Sequence, residues 1–570
     1  MMALWPVVIL AGFFPFLESK TLTQLETNNL NRFLGEVARC ARVPAISMSL
    51  VRDGQIVYTN GFGTSNKQRQ ESASSKTVFC LGDITQTFTA TLLAKLLDEH
   101  QNFTWDTPVQ EILGAAINFG DRYRNDYLSL RDIVSMRTGL SNMDAVVLTN
   151  AMERSRLISN LRFAPKVATF REKYVYNNLL FAVAEEVTRS LGQDTWYKLV
   201  QDHLLAPLSM TDTFFITSDA KKQENLAQPV MSYNGVPMPI PMEAMKGQEI
   251  IAAGSSICST ADDMGKWLRF NLNKGGTQDG GQLLPREALA ELFQGQTTRS
   301  DEGNARVEGF SQPDVQVSYT REANTLGWIK GHYRGYSVLS QDGSLPGYES
   351  LTSFIPDRDV GIFTAFTGDN GPKAFAAKTL MNTYGLDMLI HGQPAFHLKD
   401  FCQTLDAMFT IVVKNDPYVN RDIKQASESK RPLEDYQAFY RNLAFGDIRV
   451  WVNESSLYLK YGEFGEFNLR PTEQENVFRM EAMPGELWYT THVDILRRKP
   501  YYAYFDTTPY SDDHIEVVKI PHFDRDTDPV FSRRIRIPPP YDEVREVCGS
   551  GSKVAVSWTI VVLMMVMVLR

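Results

Sequence analysis

Strand-like and helix-like patterns alternate from about residue 25 to residue 390, with strand-like text at both ends and helix-like text between. The run Ala45-Ile46-Ser47-Met48-Ser49-Leu50-Val51, a turn at Gly54, and Gln55-Ile56-Val57-Tyr58 predict a β-hairpin. Residues 348–366 predict two more strands, split by a turn at Pro356-Asp357-Arg358-Asp359. Between these ends, residues 86–99 and 179–191 carry apolar positions at helical spacing, the second run stopped by Gly192. Ser259 or Thr260 is placed to cap a further helix that runs through Trp267. Strands at both ends with helices between them point to an α/β domain built on an antiparallel sheet.

At 570 residues the chain exceeds the usual size of one domain. A polar stretch places a linker at 396–435 after a first domain of 20–395. Beyond it come short strands at regular spacing: Ile448-Arg449-Val450-Trp451-Val452, Leu457-Tyr458-Leu459-Lys460-Tyr461, Glu466-Phe467-Asn468-Leu469, and 515–520. They predict a small all-β barrel-like domain over 436–537. A net charge of −9 offers no basic field for phosphate, so no nucleic-acid partner is expected.

The two ends read as processing signals. Residues 1–19 are apolar up to Leu17 and then turn to Glu18-Ser19-Lys20, as in a secretory signal peptide. A stalk and anchor-site region over 538–553 contains Pro538-Pro539-Pro540 and the small residues Cys548, Gly549 and Ser550. A hydrophobic tail, 554–570, follows. The tail fits a GPI-anchor signal or a C-terminal membrane helix, and either tethers the body to the membrane on the outside of the cell. Asn102 and Asn453 head glycosylation sequons. The five cysteines, Cys40, Cys80, Cys258, Cys402 and Cys548, have no metal-ligand spacing. One or two disulfides are open to a secreted chain, in pairings that spacing does not decide.

The motifs lie in one order. Thr77-Val78-Phe79, Gly82, Thr85 and Phe88-Thr89-Ala90 are followed by Phe103-Thr104-Trp105-Asp106-Thr107-Pro108-Val109. Then come residues 130–140, Tyr174-Val175-Tyr176-Asn177-Asn178, Ala253-Gly254-Ser255-Ser256, Leu326-Gly327-Trp328, and Gln341-Asp342-Gly343-Ser344-Leu345-Pro346-Gly347-Tyr348. This series resembles the serine β-lactamase and penicillin-binding-protein family, in its class C β-lactamase-related branch. It looks like an animal-type secreted member with a degenerate Ser-x-x-Lys motif. The resemblance implies a β-lactamase/transpeptidase-like fold, an antiparallel sheet flanked by helices plus a helical subdomain, and no cofactor.

The family's chemistry implies a serine nucleophile, a lysine one helical turn on, a tyrosine that assists proton transfer, and main-chain N–H groups for the oxyanion. The matching positions here are Asp83 for the serine, Gln86 for the lysine, Tyr176 and Asn178 for the Tyr-x-Asn pair, and Gln341 and Gly343 for the third motif. A glutamine amide has no proton affinity near neutral pH, so base catalysis from position 86 is lost. Asp83 reads as a helix N-cap or, more sharply, as a carboxylate nucleophile, and the cap is the expectation. Tyr176 and Asn178 read as retained site residues or as hydrogen-bond scaffolding, while Gly343, Ser344 and Gly347 read as turn residues. Trp267 and Trp328 read as core. The expected protein is a tethered pseudoenzyme that binds a peptide, glycan or protein ligand. The alternative is an ester or amide hydrolase with a rearranged site.

Overall fold

The hairpin at the start of the chain pairs with the last strand of its domain, and this pairing sets the architecture. The computed structural model describes residues 21–114, 117–216, 224–233, 236–299, 318–414, 423–483, 501–508, 511–521, 523–524 and 527–534. The signal segment, stalk and hydrophobic tail, with Cys548, Gly549 and Ser550, lie outside these residues. Among the described residues no helix is long and apolar enough to cross a membrane.

Strand Ala45–Arg52 lies between Gln55–Asn66 and Val360–Thr367, with Ala45 opposite Thr367. The antiparallel order then continues through Tyr348–Ile355, Tyr336–Leu345 and Ile329–Tyr333, and among the described residues nine strands form the sheet. Every residue of Tyr348–Ile355 and of Val360–Thr367 is buried, as expected where both faces of a sheet are covered. Helices Gln24–Ala41 and Pro372–His391 cover one face, where Phe33 stacks on Tyr384. Helix Ala261–Leu272 covers the other. Thr260 caps it by accepting from the Asp263 N–H, and Trp267 stacks on Phe88 of helix Thr85–Glu99. Trp267 and Trp328 are core residues, as expected.

The second domain is a closed, eight-stranded antiparallel barrel running from Ala438–Asn442 to Val530–Ser532. Alternate residues such as Ile448, Val450, Leu457, Leu459 and Tyr461 fill it.

The linker reading needs correction. Residues 401–414 form a helix whose Phe401, Leu405 and Met408 are buried in the same core as Phe33. A Cys40–Cys402 disulfide ties this helix to Gln24–Ala41. On the barrel side, Gln425 already bridges to Thr472. The apolar stripe at 401, 405 and 408 recurs at helical spacing, and that signal outweighs the polar residues around it. The second disulfide joins Cys80 to Cys258 across the small sheet of Phe79–Cys80, Ile257–Ser259 and Phe214–Phe215.

Candidate functional site

The strand Phe79–Cys80 delivers the chain into a single turn, Gly82–Ile84, that opens the helix Thr85–Glu99. Gly82 has φ +54°, a left-handed backbone that favours glycine, and a Cβ there would come within 2.9 Å of the Ser344 nitrogen. The strand Tyr336–Leu345 presses on this turn from the other side. A Cβ on Gly343 would lie 1.7 Å from the Leu81 carbonyl oxygen. Gly343 and Ser344 are therefore strand residues at a close approach and not turn residues; only Gly347, φ +77°, turns the chain. The side chain of Ser350 fastens the contact by donating to the Leu81 carbonyl at 2.9 Å.

Tyr176 and Asn178 approach from the segment before helix Phe181–Gly192. The Asn177 amide, which donates to the Leu140 and Ser141 carbonyls, fixes this segment. The Asn142 side-chain oxygen fixes it too, accepting the Asn178 N–H at 2.6 Å. Gly254 gives Asn178 its room, since a Cβ there would lie 2.0 Å from Asn178 Oδ1.

These elements bring Asp83, Gln86, Tyr176, Asn178 and Gln341 into one hydrogen-bonded network, with Gly343 beside it. The Tyr176 hydroxyl donates to Asp83 Oδ2 at 2.7 Å, and the Asn178 amide donates to Asp83 Oδ1 at 2.9 Å. Gln86 donates to Asn178 Oδ1 at 3.3 Å. Gln341 donates to Gln86 Oε1 at 3.0 Å and to the Asp83 carbonyl at 3.3 Å. Gln86, Asn178 and Gln341 are buried, while Asp83 and Tyr176 are half-buried. The expectation that Asp83 caps the helix gives way to this arrangement. Ile84 occupies the N-cap position, without a side-chain bond, and the Asp83 carboxylate turns toward Tyr176 and Asn178.

The geometry limits the chemistry. For Tyr176 to act as a base, its hydroxyl would first have to lose the proton it shares with Asp83. That would leave two anions 2.7 Å apart, an arrangement that like charges disfavour. The position one helical turn beyond Asp83 holds an amide with both ends engaged. What remains is a carboxylate ringed by amide and phenol groups, suited to holding a hydrogen-bond donor or a cation.

A second cluster lies behind the site and was missed in the sequence. Lys378, from helix Pro372–His391, pairs with Glu349 at 2.7 Å and with Asp342 at 3.2 Å, and Arg321 pairs with Asp342. Burial pushes the Asp342 carboxyl up, but the Arg321 and Lys378 charges outweigh it and hold the group far below its ordinary range. Asn370 donates to both Ser344 Oγ and Glu349 Oε1, and so locks the strand that carries Gln341 and Gly343. A readable signal existed: Asp342, Glu349 and Lys378 interrupt segments otherwise fit for burial, and a charge buried there needs a partner. A further grouping of potential metal ligands, Glu36 with Cys40 and Cys402, has both sulfurs committed to a disulfide.

Comparison with known proteins agrees with this architecture. The Beta-lactamase family model matches residues 30–384. The chain is 25% identical over 372 residues to Unguisins hydrolase ungD of Aspergillus violaceofuscus, covering 63% of this chain and 65% of that one. It therefore spans just under two thirds of that relative. It is 27% identical over 233 residues to Gigasin-6 of Magallana gigas, covering 40% and 77% of the two chains. In fold it is similar to the octameric penicillin-binding protein homologue from Pyrococcus abyssi, with a TM-score of 0.55 at 17% identity over 89% of this chain and 99% of that one. The match to the family model covers more than half of the chain, and the chain belongs to the beta-lactamase family.

Proposed function

We propose that this beta-lactamase-family protein has lost acyl transfer and acts as an extracellular, membrane-tethered binding protein for a peptide, glycan or protein ligand. One observation carries the reading: Asp83, Gln86 and Gln341 satisfy one another and Asn178 in a single network. Three independent losses of chemistry would leave unmatched groups, whereas these replacements form a set with complementary donors and acceptors. The two disulfides fit maturation in an oxidising, secretory compartment. The tether rests on the C-terminal hydrophobic segment. The test is labelling of the purified ectodomain with a fluorescent penicillin and a fluorophosphonate. No labelled serine is expected, and acylation of any serine would sink the proposal.

A second reading, an ester or amide hydrolase with a rearranged site, draws on the Asp83 carboxylate at the nucleophile position and on the similarity to a hydrolase. Its discriminator is an ester panel run on the wild type, Tyr176→Phe and Asp83→Ala. Equal background rates in all three remove it.

A further inference from the structure

We infer that Asn453 carries an N-linked glycan whose first sugar stacks on an aromatic platform built into the barrel wall, and that this site, unlike Asn102, is a structural modification site. The inference rests on the secretory reading above.

Asn453 is the last residue of strand Gly446–Asn453 and is exposed, followed by a tight turn through Glu454, φ +53°. Along this strand Ile448 and Val450 point into the barrel, so Arg449, Trp451 and Asn453 share the outer face. Trp451 lies directly across from Tyr458, and the two rings stack with centroids 5.5 Å apart and 22° between planes. The Arg449 guanidinium lies 5.5 Å from the Trp451 ring and 5.7 Å from the ring of Phe439, a residue 68% exposed. Among the described residues, Phe439 is exposed on this outer face and Trp451 and Tyr458 are half-buried there.

Asn453 stands about 7 Å along the strand from Trp451 on the same face. A pyranose linked to its side-chain nitrogen reaches back over the indole. The sugar's C–H bonds carry partial positive charge and the ring face is negative, so the two surfaces attract while apolar area is covered. Asn102 lies in a turn, and two residues before it stands His100, whose imidazole offers a smaller and more polar face than an indole.

The linkage forms between the Asn453 amide nitrogen and C1 of N-acetylglucosamine, taken from a lipid-diphosphate oligosaccharide. The bond from C1 to the diphosphate oxygen breaks, the lipid diphosphate leaves with that electron pair, and the amide gives up one proton.

The test uses the full chain expressed in animal cells, with site occupancy read by mass spectrometry and stability by thermal unfolding in an Asn102→Gln background. Asn453 is expected to be occupied. Trimming its glycan to the first sugar leaves the Tm in place, and complete removal lowers the Tm by about 2–4 °C. In Trp451→Ala that Tm difference vanishes and occupancy falls roughly twofold or more, while Trp451→Phe retains both. Occupancy at Asn102, measured without the background substitution, stays the same. An empty Asn453 beside an occupied Asn102 overturns the inference alone. Two empty sites overturn the secretory reading with it. An equal Tm change in Trp451→Ala and wild type also overturns it.

Discussion

Gln86 carries two hydrogen bonds in a buried place, so its removal has a definite cost. Gln86→Leu takes a donor from Asn178 Oδ1 and an acceptor from Gln341 Nε2. We expect a loss of about 1–3 kcal/mol, seen as a lower denaturant midpoint at unchanged m-value. Asp83→Ala asks what the site is for. Residues kept for chemistry often cost stability, and their replacement then raises the midpoint. In a scaffold, loss of the carboxylate takes away the acceptor of Tyr176 and Asn178 and lowers the midpoint by a similar amount. We expect the lower midpoint; a rise would count against the pseudoenzyme reading. A different residue sets the pH response. Burial outweighs the neighbouring Arg154 and raises the Glu185 carboxyl from 4.5 to about 7. The folded state therefore binds this proton more tightly than the unfolded state. The contribution is complete below pH 4.5 and is lost as the pH rises through about 7. Glu185→Gln should flatten the stability profile across that window by something on the order of 2–3 kcal/mol, measured as denaturant midpoints at successive pH values. The positions Asp83, Gln86, Tyr176, Asn178 and Gln341 were legible in the sequence because they stand in a recognisable order. Their mutual bonding was not, since the partners lie 92 to 258 residues apart along the chain. An aspartate at a helix start also satisfies the local pattern of a cap, which conceals a tertiary role.

At the scale of elements, the site depends on how closely one strand can approach one turn. The hairpins and long helices were legible because their periodicity is local, and the observed strands Ala45–Arg52 and Tyr348–Ile355 follow it. The approach of Tyr336–Leu345 to Gly82–Ile84 was not, because a glycine inside a strand looks like a turn until its neighbour is known. Gly343→Ala would set a methyl group on the Leu81 carbonyl and drive the strand outward, carrying Gln341 with it. We expect a cost of about 1–3 kcal/mol, with backbone amide exchange accelerated at Leu81 and Gln341 more than at the sheet centre. The Cys80–Cys258 bond acts on the same region from behind. It joins the strand leading to Asp83 to the strand that follows Gly254, the residue packed on Asn178. Closing a loop across 178 positions is worth roughly 5 kcal/mol on a chain-entropy argument. The paired replacement Cys80→Ala and Cys258→Ala should therefore lower the unfolding temperature sharply. Reductant should lower that of the wild type further than that of the double variant.

At the scale of the whole molecule, the barrel is a structural neighbour of the site and not a separate bead on a string. The hairpin turn at 462–464 meets the end of helix Asp144–Leu148, where the Glu463 and Phe464 N–H groups both donate to the Thr149 carbonyl at 2.8 and 3.1 Å. Glu463 also accepts from Asn150 and pairs with Lys246 at 3.0 Å. Beside this contact the Ser141 hydroxyl donates to Asp524 of the barrel at 2.6 Å, and the next residue, Asn142, holds the Asn178 N–H. The joint thus ends two residues from the hydrogen bonds around Asp83. Gly462 makes it possible: its φ is +67°, and a Cβ would stand 2.3 Å from the Thr149 oxygen. Gly462→Val combines a disfavoured backbone with a direct clash, so it should open the joint while leaving each core intact. The wild type is expected to unfold in one calorimetric transition because the interface couples the two domains. The variant is expected to split into two, with the barrel melting apart from the sheet domain. A single transition at the wild-type temperature would mean that the joint contributes nothing to the coupling, and that the order around Asn178 is set within the first domain alone.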